Sequence, residues 1–200
     1  MVIYLMRHGQ TAWNAERRYQ GWHDSPLTPL GQSQARAAGR LLSELVPDPA
    51  SLTVISSPLG RARDTAHLVL HEIGLETTAV REDSRLTEIR MGVWEGMPDD
   101  DVEAQFGPLL AARRADPWSV APPGGETYAA VAERVGRWLD EQSETETSLV
   151  VTHGVAGRIL LGLYLGLDRE TIRNLSPFRQ DELHVLTGGV NQTFETMPED

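Results

Sequence analysis

The chain has 200 residues, 40% of them hydrophobic and 24% charged, which is ordinary globular composition and enough length to bury a core. It holds no cysteine, and all 18 basic residues are arginine, which excludes disulfide frameworks, thiolate metal sites, cysteine nucleophiles and reactive-lysine chemistry. A formal net charge of -11 argues against a broad nucleic-acid-binding face, and no apolar run approaches the roughly 20 residues of a membrane span, so the expectation is a cytoplasmic protein with no nucleic-acid or membrane partner.

Val2 to Met6 are apolar or aromatic throughout, the pattern of a strand buried on both faces, and Arg7, His8 and Gly9 follow without a spacer. No basic lead precedes this run, so it is expected to be a strand rather than a secretory leader. Ala12 to Ser25 has no period and reads as a loop or short helical turn lying over a pocket. Thr28 and Pro29 form a helix start, and Leu30, Ala37, Leu41, Leu42 and Leu45 recur at helical spacing up to Pro47. Leu52 to Ser56 is a short β-branched strand. A second helix is expected from Ser57-Pro58, with Ala62, Ala66, Val69, Leu70 and Ile73 on one face and Gly74 at its C-cap. Thr77 to Val80 reads as an edge strand and Arg85 to Gly96 as irregular.

Asp99 to Arg114 is expected to form an amphipathic helix, acidic in its first turn and basic in its last, as the helix dipole prefers. After a Pro/Gly-rich loop from Pro117 to Gly125, Thr127 caps a helix to about Gln142 with Val131, Val135, Trp138 and Leu139 inward. Leu149 to Thr152 is another buried strand, again followed by a histidine and a glycine, His153-Gly154. Val155 to Leu165 is a strongly apolar helix, and Glu170 to Leu175 a short one. Leu183 to Leu186 and Gln192 to Thr196 close the chain as a hairpin across Gly188-Gly189, with Met197 to Asp200 as a frayed tail. The alternation predicts an α/β fold, a three-layer α/β/α sandwich with a mainly parallel central sheet, in one domain over 1–200 with a lid-like insertion at about 96–125.

Three buried strands therefore end in related polar groups: Arg7-His8, Ser56-Ser57 leading to Arg61, and His153-Gly154. Parallel strands share a carboxyl edge, which is where open α/β sheets bind ligands, so these groups are expected to converge into an anion pocket. Phosphate is the natural guest, and planar guanidinium donors match its oxygens in pairs.

With Asn14, the run Arg7-His8-Gly9-Gln10-Thr11 resembles the motif of the histidine phosphatase superfamily, the phosphoglycerate-mutase-like proteins. Further blocks resemble the family in its order: Arg18-Tyr19-Gln20-Gly21-Trp22, Pro26-Leu27-Thr28 with Gly31, and Ser57-Pro58-Leu59-Gly60-Arg61-Ala62. Leu86-Thr87-Glu88, Gly92-Val93-Trp94-Glu95-Gly96, Pro122-Pro123-Gly124-Gly125-Glu126 and Val150-Val151-Thr152-His153-Gly154 complete the match. The resemblance implies a metal-independent phosphomonoesterase without a cofactor, acting on a small phosphorylated metabolite as a monomer or homodimer.

In that implied mechanism His8 attacks phosphorus through a ring nitrogen, while Arg7, Arg61 and His153 hold the equatorial oxygens. Two nearby arginines oppose protonation of His8. Glu88 protonates the leaving alkoxide and then deprotonates water, a role for which it is expected to be partly desolvated. Asn14, Gln20, Gly21 and Gly154 complete the phosphate-binding set.

Other residues have blander uses. Arg63 is turned away from Arg61 by helical spacing. Glu95 is an alternative acid or an acceptor for backbone N–H groups. Arg90 and His23 are rim or surface groups. His67 and His71 stand at i and i+4 but lack a third metal ligand, and Asp99 to Asp101 form a solvated helix start. Trp22, Trp94 and Trp118 are candidates for stacking on a ligand or for packing.

A cofactor-dependent phosphoglycerate mutase is the alternative activity, yet Glu88 to Pro122 has no lysine and only Arg113-Arg114 as a basic cluster, which favours one phosphate over two. A phosphate-binding regulator without turnover is the non-enzymatic alternative. It needs neither the nucleophile His8 nor the acid Glu88.

Overall fold

The computed structural model describes residues 1–198. In chain order its elements are β1 (Val2–Arg7), α1 (Ala12–Ala15), α2 (Pro29–Leu45), β2 (Thr53–Ser56), α3 (Gly60–Glu72), β3 (Val80–Glu82), α4 (Asp99–Ala115), α5 (Tyr128–Asp140), β4 (Thr147–Thr152), α6 (Gly154–Tyr164), α7 (Arg169–Asn174), β5 (Glu182–Thr187) and β6 (Val190–Glu195). The strands make one sheet in the order β3-β2-β4-β1-β5-β6. Strands β3, β2, β4 and β1 run parallel, β5 pairs antiparallel to β1 and β6 antiparallel to β5, so the sheet is mainly parallel as expected.

Alternation along each strand feeds two cores. Tyr4 and Met6 pack with Val54, Leu149, Val151 and the inner faces of α2 and α3. Ile3 and Leu5 pack on the other face with Ile55, Val150, Leu186 and residues of α4, α5, α6 and α7. Helices on both faces of one sheet give the three-layer α/β/α arrangement.

Local chemistry sets the helix ends. Thr28 Oγ1 accepts from Gly31 N at 3.0 Å with Pro29 in the first helical position, and Thr127 Oγ1 accepts from Ala130 N at 3.2 Å. Gly74 takes φ +73° just past α3, the left-handed turn that a Cβ disfavours. In α4 the backbone breaks at Phe106 (φ -128°) two residues before Pro108, whose ring cannot follow a regular turn.

Some expected boundaries shift. Helix α3 starts at Gly60 rather than Ser57, because the chain bends at Pro58 and Leu59 and Leu59 keeps an extended backbone as the N-cap. The edge strand is Val80–Glu82, and Thr77–Ala79 is a 3-10 turn. Leu30 is 44% exposed and contributes nothing to the core, since it falls on the outer side of the first turn of α2. Of the tail, Met197 is exposed, while Glu199 and Asp200 lie outside the described residues. Among the described residues no helix is long and apolar enough to cross a membrane.

The parallel register sets Arg7 beside Thr152 and Ser56 beside Val151. His8 N donates to Thr152 O at 2.9 Å and Ser57 N to Val151 O at 3.0 Å, so the strand ends are tied to one another where the predicted site residues begin.

Candidate active site

The nucleophile candidate is defined by its hydrogen bonds. His8 is 2% exposed, and its Nδ1 lies 2.8 Å from Gly9 O. A carbonyl only accepts, so Nδ1 carries the ring proton and Nε2 holds the lone pair. That lone pair faces Arg61, whose Nε donates to it at 3.2 Å. Burial above all, and then the charges of Arg61 and Arg7, hold the His8 pKa well below its ordinary 6.5. The two arginines expected to oppose protonation do so, but desolvation is the larger cause.

Arg61 occupies the first turn of α3 and is 2% exposed. Besides His8 it donates from Nη1 to His23 O at 2.8 Å and Asp24 Oδ1 at 2.9 Å, and from Nη2 to Gly21 O at 2.8 Å. Asp24 Oδ1 also accepts from Arg61 N at 3.3 Å, so the loop before α2 fixes both the cation and the start of its helix. Arg7 donates from Nη1 to Phe178 O at 3.1 Å, while its buried Nε has no partner among the described residues.

His153 caps α6 at the end of β4, with its ring 5.1 Å from that of His8. Its Nε2 shares a 2.7 Å hydrogen bond with Ser57 Oγ, and its Nδ1 is buried without a partner among the described residues. Burial, followed by Arg61, His8 and Arg7, keeps this ring neutral as well. Unpaired buried polar atoms on Arg7 and His153 are costly in isolation and complement an anion's oxygens.

Glu88 is half-buried, as expected, and sits on the N-terminus of α6. Its Oε1 accepts from Ile89 N at 2.8 Å and from Val155 N and Ala156 N at 3.2 Å, and its Oε2 accepts, among the described residues, only from Val155 N at 3.2 Å. Gly154 lies between Arg7 and Glu88: a Cβ there would stand 3.4 Å from Arg7 Cζ and 3.5 Å from Glu88 Oε2.

A cavity of about 220 Å³ is lined by Arg7, His8, Asn14, Gln20, Gly21, Arg61 and Glu88, among others. Gln20 has little side chain to spare, since Nε2 donates to Thr11 Oγ1 at 2.8 Å and Oε1 accepts from Ser25 Oγ at 3.4 Å. Asn14 Oδ1 accepts from Thr11 N at 3.1 Å and Gln180 Nε2 at 2.8 Å. Gly21 has φ +53°, and a Cβ there would meet Glu95 Oε1 at 2.1 Å.

Glu95 accepts from Trp22 N at 3.1 Å and Met91 N at 2.9 Å, the structural use considered for it. Arg63 points away to Glu82 at 3.8 Å, and Arg90 lies 5.2 Å over the exposed Trp22 ring. His23 is exposed and 3.6 Å from Glu95. Trp94 is wholly buried, and Trp118 packs edge-on against Tyr128. Among the described residues no group of three or more His, Cys, Asp or Glu side chains has a metal-holding arrangement, the His67 and His71 pair included.

A second cavity of about 370 Å³ adjoins the first, sharing Tyr19, Ile89, Met91 and Val155 as walls. Arg113 and Arg114 of α4 line it, but so do Arg158 of α6 and Arg173 of α7. Arg113-Arg114 is the basic cluster of the Glu88 to Pro122 segment, and Arg158 and Arg173 join it from outside that segment. Arg158 follows His153 by five residues and reads in sequence as one charge in an apolar helix; only the fold brings it to the cavity that Arg113, Arg114 and Arg173 line.

The profile of the histidine phosphatase superfamily (branch 1) matches residues 3–193. A probable phosphoglycerate mutase GpmB of Serratia proteamaculans is 37% identical over 192 residues, covering 90% of this chain and 85% of that protein. Among solved structures, a mycobacterial glucosyl-3-phosphoglycerate phosphatase complexed with VO3 superposes with TM-score 0.79 at 31% identity, covering 97% of this chain and 96% of the other. The alpha-ribazole phosphatase of Shigella flexneri superposes with TM-score 0.81 at 27% identity, covering 98% and 96%.

Proposed function

Since the chain belongs to the histidine phosphatase superfamily, we propose that it hydrolyses a small phosphorylated metabolite through a phosphohistidine on His8, without a metal. The observation that carries this reading is the state of His8: a buried, neutral imidazole with its proton on Nδ1 and its lone pair facing the Arg61 guanidinium.

His8 Nε2 forms a bond to phosphorus as the bond from phosphorus to the leaving oxygen breaks. One lone pair cannot both accept from Arg61 Nε and attack phosphorus, so that N–H swings to a phosphate oxygen when substrate arrives. Arg7 Nε, Arg61 and His153 Nδ1 supply donors where charge gathers on the transferring group. Glu88 gives a proton to the leaving oxygen, and Oε2, with the fewer donors of its two oxygens, is the atom to carry it. Water then bonds to phosphorus as the N–P bond breaks, and its proton passes to Glu88, which restores the acid.

The arginine-lined second cavity favours one further reading. A substrate whose body bears another anionic group would set it there, and phosphoglycerate mutase chemistry on a bisphosphate becomes the alternative to hydrolysis. The test is incubation with p-nitrophenyl phosphate and EDTA beside a His8→Ala variant. Phosphate release by the wild type, unaffected by chelation and reduced about a thousandfold or more in the variant, is the expected outcome. Activity that survives His8→Ala, or that EDTA abolishes, overturns the mechanism. Interconversion of 3-phosphoglycerate and 2-phosphoglycerate with bisphosphoglycerate present, without phosphate release, would favour the mutase.

A further inference from the structure

Glu88 lies where the chain has no strand or helix ladder, between the 3-10 turns Ser84–Leu86 and Gly92–Trp94. Its backbone is nevertheless pinned, chiefly by one side chain. Arg134 of α5 donates from Nη1 to the carbonyls of Arg85 and Thr87, both at 2.7 Å, and from Nη2 to that of Glu88 at 3.0 Å. Its other donors grip the Glu126 carboxylate, Nε to Oε1 and Nη2 to Oε2, both at 3.1 Å. All five N–H groups of the guanidinium are thereby used.

Glu126 completes the brace from the far side. Its Oε2 accepts from Arg90 N at 2.9 Å, and its own N donates to Arg90 O at 2.8 Å. The backbone is thus held before residue 88, at it and after it. Arg134 does not line the catalytic cavity, and its side chain is 11% exposed.

We propose that Arg134, held in place by Glu126, is the positioning residue for the acid/base Glu88. The proposal rests on the role given to Glu88 above. Lysine could not replace this arrangement, because an ammonium has three donors and no planar fork.

A brace that served only folding would lower every reaction alike. A brace that aims a proton donor acts through the leaving group: phenolate needs protonation as its bond to phosphorus breaks, and p-nitrophenolate needs it far less. The experiment compares kcat/KM for phenyl phosphate and p-nitrophenyl phosphate in wild type, Arg134→Gln, Glu126→Gln and Glu88→Gln, each assayed below its measured Tm.

Arg134→Gln is expected to lose at least about tenfold more on the phenyl ester than on the nitrophenyl ester, within the 10²–10⁴ a general acid contributes. Glu126→Gln, which keeps the three carbonyl bonds, is expected to shift in the same direction by less, and it carries the test if Arg134→Gln does not fold. Equal losses on both esters, or no loss, overturn the proposal. Glu88→Gln separates the two claims. If it too is indifferent to the leaving group, the acid assignment has failed; if it discriminates while the brace variants do not, only the positioning role has.

Discussion

The two adjoining cavities share four walls and are both rich in arginine, yet they are built in opposite ways. In the first cavity two cations stand at the sheet edge, with Arg18 reaching in from the loop after α1: Arg7 ends β1, and Arg61 opens α3 with its donors taken by His8, Asp24 and the carbonyls of residues 21 and 23. In the second cavity the cations project from α4, α6 and α7. Arg114 pairs with Glu103 at 3.0 Å, but Arg113, Arg158 and Arg173 make no ion pair among the described residues. Arg113 and Arg158 even crowd one ring, lying 5.8 and 5.4 Å from Tyr128. Under the proposed function, strand register dictates where the reacting groups go, whereas helix side chains set what else is recognised. Chemistry and selectivity are separable here.

The strongest challenge to that separation is Arg61→Ala. It removes a phosphate donor and the partner of the nucleophile together, and kcat/KM is expected to fall by about a thousandfold on every ester, whatever its body. A loss confined to large substrates would mean that Arg61 serves recognition and would erase the contrast.

Next in size is the paired change Arg158→Gln with Arg173→Gln. Affinity for phosphonates carrying a second carboxylate should fall roughly ten- to hundredfold, the range of hydrogen bonds to charged groups, and titration calorimetry reads it without turnover. The same drop for simple alkylphosphonates would show that the second cavity acts through the first.

The smallest effect is on stability. Burial holds His8, His153 and His184 below their ordinary 6.5. Each takes up a proton near 6.5 when unfolded and only at lower pH when folded, so the unfolded state binds more protons in that window. Stability therefore falls as pH drops through 6.5, by up to about 1.4 kcal/mol per pH unit for each histidine. Melting temperatures measured from about pH 7.5 to pH 5.5 should decline before the carboxylates titrate, and less steeply in His8→Ala. A flat profile would mean that these rings are not held neutral.

What the sequence disclosed follows the same division. The buried strands, the Thr28-Pro29 start and the polar groups at the strand ends could be read because periodicity and caps are local signals. Arg7, His8, Arg61, Glu88 and His153 were readable as candidates because each follows a strand or sits in a family-like block, and the fold brings them to one edge. Arg134 was not, since nothing local marks a helix arginine as the partner of carbonyls more than forty residues away, and Glu126, though in a family-like block, had no assigned role. Arg158 and Arg173 escaped for the same reason, as did the misplacement of Leu30, whose helical spacing matched the core but whose turn had nothing above it.

Strand β1 precedes the strands it pairs with and sits in the middle of the sheet, between β4 and β5. Its Arg7 is secured by Phe178, 171 positions later. The candidate nucleophile His8 therefore leaves the ribosome long before His153 and Phe178, which complete its surroundings. Such non-local pairing slows folding and leaves the apolar β1 without neighbours during synthesis. Chains cut short before β4 hold His8 but neither His153 nor the strand partners of β1, so a nascent or truncated product is expected to be catalytically silent.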